Sequence, residues 1–500
     1  MRSTMLRRNA FSVIICCLPL AVLIILSIRQ GYDILSYTLD DPYIHLELAK
    51  NIFNGNYGIN THEFSSPSSS IIWPFILVPF NVFDWYIYAP LILNTVFLGL
   101  TIAFLLNYVF NDIEPYLIRI LIVTSIAFSL NLYGLVMTGM EHSLQVLCSS
   151  IIAFGLANRD FRRNNAPLFY FTLVIAPLVR YESLAITVPV LFYLISFSQD
   201  RKLAFFSGGI LVVLIGMFSS FLFINSGFVF PSSVMIKQSA VADTQTMSVV
   251  TKIIGNILIL MKKYWWFIAI FAYFLIAARV DKKLIVTCAA ITFLYLALGR
   301  HGWFGRYEVF FVIFVCVLIM SIVREKLKPT KFAVVIVALL MPVAFSSLVR
   351  STILTPLASS NIYNQQYLVS QLVKNLNEPI AVNDLGLISL NSNKTVVDLW
   401  GLGNLDAMAA KANNDLRYID HLMSKNDARF AVIYREWFSE EQLENLVLVG
   451  SLSLNERRIT PAVNTVSFFA NSIESAEKFK IELRKFDFSN NTLHIVETFE

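Results

Sequence analysis

Charge is scarce in this 500-residue sequence: Asp, Glu, Lys and Arg make up 15% of it, against 56% hydrophobic residues and a mean hydropathy of +0.64. That balance excludes a wholly soluble enzyme. Cysteine is rare too, and all five, Cys16, Cys17, Cys148, Cys288 and Cys316, lie inside apolar blocks. A disulfide or zinc framework in the polar regions is therefore excluded. No Gly-rich phosphate loop and no Cys/His metal spacing occurs in the C-terminal region, and no nucleotide motif stands elsewhere.

What the sequence has instead is apolar blocks, at residues 11–28, 69–83, 86–110, 117–137, 141–157, 167–178, 182–197, 203–224, 254–278, 283–298, 304–323 and 332–349. A bilayer crossing needs roughly 20 such residues. The first block follows Arg2, Arg7 and Arg8 and is followed by Arg29-Gln30-Gly31-Tyr32, without a small-residue cleavage pattern. It reads as a retained anchor with a cytoplasmic N-terminus. The basic loops Arg159-Asp160-Phe161-Arg162-Arg163, Arg201-Lys202, Arg279-Val280-Asp281-Lys282-Lys283 and Arg324-Glu325-Lys326-Leu327-Lys328 read as cytoplasmic, by positive-inside topology and not nucleic-acid binding. Segments 139–141, 180–182, 225–251, 299–306 and the C-terminal region then face outward. Block 69–83 is short and carries Pro74 and Pro79, so it is read as not spanning. The expectation is a polytopic α-helical membrane protein of about eleven crossings, multi-pass in the plasma membrane.

Composition shifts near residue 350. Residues 350–500 hold 14 basic and 18 acidic residues, whereas the preceding part holds 25 and 16. Strands are expected at 379–383, 395–399 and 430–434, and helices at 362–375, 416–423, around Gln442, and at 473–486. The predicted organisation is a membrane domain over 1–349, with a first outer loop at 29–70, and an extracytoplasmic α/β domain over 350–500.

The outer loops carry the chemistry. Asp40-Asp41-Pro42-Tyr43-Ile44-His45 follows the first apolar block, and adjacent carboxylates at a membrane surface are costly. Pro42 suits a first helical turn and Asp41 an N-cap, on a helix lying along the membrane surface. Spacing leaves two readings open, an ordinary N-cap with a solvated neighbour or a catalytic pair. Glu141, Arg180, Lys237, Arg300, Arg306 and Tyr307 fall on the same side, with His45 and His142. Singly, Lys237 and Arg300 read as snorkelling anchors, and Trp303 and Tyr307 as an interfacial aromatic belt. Together they suit a lipid-linked phosphate held by cations, with a carboxylate taking the proton of an attacking hydroxyl. His45 or His142 with Asp40 or Asp41 is also a conceivable divalent-cation site.

The run Asp40-Asp41-Pro42-Tyr43-Ile44-His45-Leu46-Glu47-Leu48-Ala49-Lys50-Asn51, then Gly55, Asn60 and Ser66-Pro67-Ser68-Ser69, resembles the first outer loop of GT-C membrane glycosyltransferases. The nearest branch holds the mycobacterial arabinofuranosyltransferases and protein mannosyltransferase-like proteins. Gly139-Met140-Glu141, Arg180-Tyr181-Glu182, Pro231 with Lys237, Asn383-Asp384-Leu385-Gly386 and Asp398-Leu399-Trp400-Gly401-Leu402 continue the resemblance. Tyr181 departs from the family's Pro, Pro42 from its small residue, and Trp73 comes a few residues late. The resemblance implies an inverting transferase that uses a polyprenyl-phosphate sugar and an extracytoplasmic glycan, lipid or protein acceptor. Asp40 would be the base, with Asp41 second. Arg180, Lys237, Arg300 and Arg306 would hold the donor phosphate, and Glu141, with His45 and Tyr307 nearby, would orient sugar. Asp384 and Asp398 fit turn residues as well as contacts. Two other functions stay open: a polymerase or ligase of lipid-linked oligosaccharide, against which the Asp pair argues, and a flippase or transporter, against which the scarcity of mid-segment charges and the lack of a clear internal repeat argue.

Overall fold

The computed structural model describes residues 2–31, 34–240, 249–327, 330–489 and 491–498. The side chains of Arg2, Arg7, Arg8 and Lys237, and part of the 225–251 loop, lie outside the described residues. The chain is mostly helical and carries one six-stranded sheet near its C-terminus.

Among the described residues, four helical segments are long and apolar enough to cross a membrane: Ala10–Gln30, Tyr86–Val109, Arg201–Ser226 and Ile253–Ala277. The pair Lys331–Ala344 and Ser346–Ile353, bent by 72° after Pro342, makes a fifth if taken as one broken span. Other blocks form shorter helices, including Tyr116–Ser129, His142–Ala157, Ala166–Val179 and Tyr181–Phe197. The expectation of eleven full-length crossings is thus met only in part. Block 69–83 forms the short helix Trp73–Val82, consistent with its two prolines.

Inside this helical region the largest core gathers buried Leu, Ile, Val and Phe from many helices, with Val309–Lys326 packed along His142–Ala157. The outward sides of Arg201–Ser226 and Val249–Ala277 keep large apolar residues such as Phe205, Val212, Ile224, Leu258 and Ile276 exposed. A lone helix in water would bury such a face, whereas a lipid-facing one need not.

The sheet consists of β1 (Ile380–Val382), β2 (Val396–Asp398), β3 (Phe430–Ile433), β4 (Val447–Ser453), β5 (Thr465–Ala470) and β6 (Thr492–Ile495). Its order is β2-β1-β3-β5-β4-β6, with β1 parallel to β2 and β3 and the remaining pairs antiparallel. Alternate residues face opposite sides. Val382, Phe430 and Phe468 join Phe479 of helix Ile473–Lys485 in one core, while Ala381, Ala431 and Phe469 join Ile419 and Leu422 in another. Ile44 and Ile59 of the first outer loop belong to the first of these cores. The loop is therefore built into the C-terminal domain.

The Asp-Asp helix differs from its expectation in two ways. It runs Asp41–Phe53, so Asp41 is its first helical residue, and neither Asp40 nor any other side chain makes an N-cap hydrogen bond there. It also does not lie on an open membrane surface, since Pro42 through Ala49 are buried between Trp73–Leu77 and the short helix Gly386–Asn391. Its apolar residues occupy more than one face, which suits a helix covered on both sides.

Candidate active site

Asp40 turns its carboxylate away from its own helix. Oδ2 accepts the backbone N–H of Gly386 at 2.6 Å and Oδ1 that of Leu387 at 2.9 Å, across the joint with the C-terminal domain. Gly386 has to be glycine for this approach, because a Cβ would overlap the Asp40 carbonyl oxygen and carboxylate. Beside Asp40 lies Asp384, whose Oδ2 accepts from Gln366 Nε2 at 2.9 Å and Tyr434 Oη at 2.8 Å. Burial, then the Asp384 charge, pushes the Asp40 carboxyl well above the ordinary carboxylate range, and burial likewise raises Asp384.

Asp41 faces the other way. Its side chain is 26% exposed and is paired to the guanidinium of Arg306, which also donates to the Tyr307 hydroxyl at 3.0 Å. Arg306 is aimed by the Gly302–Gly305 turn, in which all four residues, including Trp303 and Phe304, have positive φ. For non-glycine residues that conformation is strained. It is held where Asn131 Nδ2 donates to the Phe304 carbonyl at 2.7 Å and where Gly302 N–H donates to buried Glu308 at 3.0 Å.

These side chains border a cavity of about 300 Å³, lined by Asp40, Asp41, Arg300, Arg306, Tyr307 and Asp384 among others. A second cavity of about 340 Å³ shares Arg300 and Tyr307 with it, and adds Arg180, Glu182 and an apolar wall that includes Phe230, Tyr295 and Leu298. Phe230 and Leu298 are exposed at its rim. Arg180 donates to Glu141 at 2.8 Å and to Glu182 at 2.6 and 3.1 Å, and its guanidinium lies 5.6 Å from the Tyr307 ring centroid.

Five of the sequence-predicted residues, Asp40, Asp41, Arg300, Arg306 and Tyr307, thus meet at one cavity, and Arg180 lies at its neighbour. Glu141 and His45 do not line either. Glu141 is wholly buried and holds Arg180. Its turn reaches the first loop because Thr38 N–H donates to Met137 O at 2.9 Å, and because Gly139, at φ +67°, has no Cβ to strike Tyr37 and Pro42. His45 is also buried, 3.2 Å from Ser68 Oγ and 4.0 Å from Glu141. The Lys237 side chain falls outside the described residues. Asp398 is a turn residue that accepts the N–H groups of Trp400 at 2.7 Å and Gly403 at 2.6 Å.

The conceivable divalent-cation site is not formed: among the described residues no three His, Cys, Asp or Glu groups converge to hold a metal. Asp40 spends its oxygens on backbone N–H groups, and His45 faces Ser68 and Glu141. Sequence reasoning passed over Gln366, Asn383, Trp400 and Trp437 as site residues, although all four line the first cavity. The available signal was the position of three of them at or just after the ends of expected strands: Asn383 ends 379–383, Trp400 follows 395–399 and Trp437 follows 430–434.

A family described as Domain of unknown function (DUF8728) matches residues 360–478, the part that supplies the outer wall of the first cavity. No curated protein sequence matches the chain.

Proposed function

We propose that this protein is an integral-membrane glycosyltransferase of the GT-C kind, moving a sugar from a polyprenyl-phosphate donor to an extracytoplasmic acceptor. On this reading its eleven apolar helices, short ones included, cross the plasma membrane, with the N-terminus inside and the sheet domain outside. One observation carries it: an acid pair and two arginines at a single cavity, adjoining an apolar one that shares Arg300 and Tyr307.

The apolar cavity suits the first part of a lipid chain, and Arg300, with Arg180 behind Tyr307, suits its phosphate. The sequence favours Asp40 as base, but the hydrogen bonds favour Asp41, because both Asp40 oxygens already accept N–H groups. Asp41 takes the proton from the acceptor hydroxyl as its oxygen bonds to the anomeric carbon. The bond from that carbon to the phosphate oxygen breaks, and its electron pair leaves on polyprenyl phosphate beside the arginines. Configuration inverts, and no nucleotide is required.

The test uses the full chain in lipid nanodiscs, with labelled polyprenyl-phosphate sugars and native membranes as acceptor source. Asp41→Asn should lower transfer by about 10²–10⁴-fold. Full activity in that variant sinks the base assignment, and turnover of nucleotide sugars alone sinks the donor class.

A further inference from the structure

The wall of the first cavity that belongs to the C-terminal domain has features the transfer step does not use. The three parallel strands each end at it: β1 continues into Asn383, Asp384 and Leu385, β2 into Trp400 and Leu402, and β3 leads to Trp437. In open α/β sheets the carboxyl ends of parallel strands are where ligands bind. Trp400 and Trp437 stand side by side there, with ring centroids 4.5 Å apart and both rings half-buried. Trp303, 56% exposed on its strained turn, borders the same cavity from the membrane side.

Two buried amides complete this wall. Asn383 is 3% exposed and accepts the Tyr434 N–H at 2.9 Å through Oδ1, which leaves Nδ2 with no partner. Gln366 is 6% exposed, and its Nε2 reaches Asp384, Gln365 and Tyr434, which leaves Oε1 with none. A buried donor and a buried acceptor left unsatisfied are costly, and a ligand that pairs both recovers that cost. One hydroxyl group both donates and accepts, and a ring with adjacent hydroxyls answers both amides at once.

We infer that this wall is a saccharide-binding subsite. A neutral sugar ring lays its apolar C–H face on Trp437, beside Trp400, whose ring is tilted by 51° and carries the Lys411 ammonium 3.0 Å from its centroid, while its hydroxyls accept from Asn383 Nδ2 and donate to Gln366 Oε1. The partly positive C–H face of the ring matches the negative face of the indole, and the few polar groups fix its orientation. As the place of the acceptor sugar, the subsite rests on the transferase reading above. As a sugar site it stands apart from that reading.

The test is saturation-transfer NMR on the full chain in nanodiscs, with a panel of methyl glycosides: mannoside, glucoside, galactoside, N-acetylglucosaminide and arabinofuranoside. At least one should take saturation on its ring protons. Its apparent Kd should rise about tenfold or more in Trp437→Ala, the equivalent of about 1.4 kcal/mol. Because Trp437 also packs on Tyr434, Asn383→Asp, measured at pH 8, provides a second variant that keeps an oxygen for the Tyr434 N–H, replaces the amide donor by a carboxyl oxygen, and should weaken binding similarly. Trp85→Ala, at a ring stacked on Phe83 away from the cavity, should change nothing. Absence of saturation across the panel, or binding that survives both cavity variants, overturns the subsite. Glycoside binding that depends on Trp437 and Asn383 without any lipid-linked transfer upholds it and removes the transferase reading alone.

Discussion

Asp40 Oδ2 lies 2.6 Å from the backbone nitrogen of Gly386, a bond between residues 346 positions apart. With the Leu387 bond beside it, one carboxylate ties the loop after the first helix to the C-terminal domain and leaves Asp41 turned to the cavity.

Breaking this joint has a measurable cost. In Asp40→Asn an amide NH₂ faces one of the two N–H donors, which should destabilise the protein by about 1–3 kcal/mol. Gly386→Ala should cost a similar ~1–3 kcal/mol through overlap with Asp40 backbone and side chain. Thermal unfolding of the detergent-solubilised chain checks both.

The Asp40–Asp384 pair sets a pH dependence. Both carboxyls are raised in the folded protein, so their protonated form is favoured there. The folded state then holds more protons than the unfolded one above the ordinary carboxyl range. Their stabilising contribution is complete at acid pH and is lost as pH rises through the raised values. Asp384→Asn keeps an oxygen for Gln366 and Tyr434 and removes the repulsion on Asp40. It should flatten the melting profile against pH and raise the melting temperature at pH 8, where the unvaried pair repels most. A steeper profile in this variant would refute the coupling.

Arg180 neutralises two acids at once. It is 2% exposed and bonded to Glu141 and Glu182, so Arg180→Met strands both carboxylates and should cost about 3–5 kcal/mol. Adding Glu141→Gln and Glu182→Gln should recover most of that loss. Comparing melting temperatures of the single and triple variants decides it.

Arg300 borders both cavities. On the proposed transferase reading, Arg300→Ala should raise KM for a polyprenyl-phosphate sugar by about tenfold or more. Arg300→Lys should recover only part, since a point charge does not replace a planar fork on phosphate. A lowered kcat at unchanged KM would instead give Arg300 a role confined to the transition state.

Much of the outer region could be read from residue order. The strands expected at 379–383, 395–399 and 430–434 contain β1, β2 and β3, and the helix at 473–486 is Ile473–Lys485. Strands β4, β5 and β6 went unread. The register of β4 shifts between Leu448 and Gly450, which breaks its alternation, and Val466 and Phe468 to Ala470 of β5 are buried on both faces. The helical region obeyed its hydropathy, but several blocks wind into helices shorter than a straight crossing. At the site, acids and arginines were visible because charge is rare here. What Asp40 bonds to was not visible, since hydrogen bonds to backbone N–H groups carry no sequence mark. The same holds for Gln366 and Asn383, whose amides matter only through what their partners leave unfilled.

The bond from Asp40 to Gly386 also orders events during synthesis. The loop with the acid pair emerges first, while the helix that receives Asp40 is translated 346 residues later. Until the last third of the chain has been made, Asp40 has no N–H groups to engage and the first cavity lacks its outer wall. A ribosome-bound or truncated chain therefore carries the acid pair without the closed pocket, and assembly of the pocket waits on the C-terminal domain.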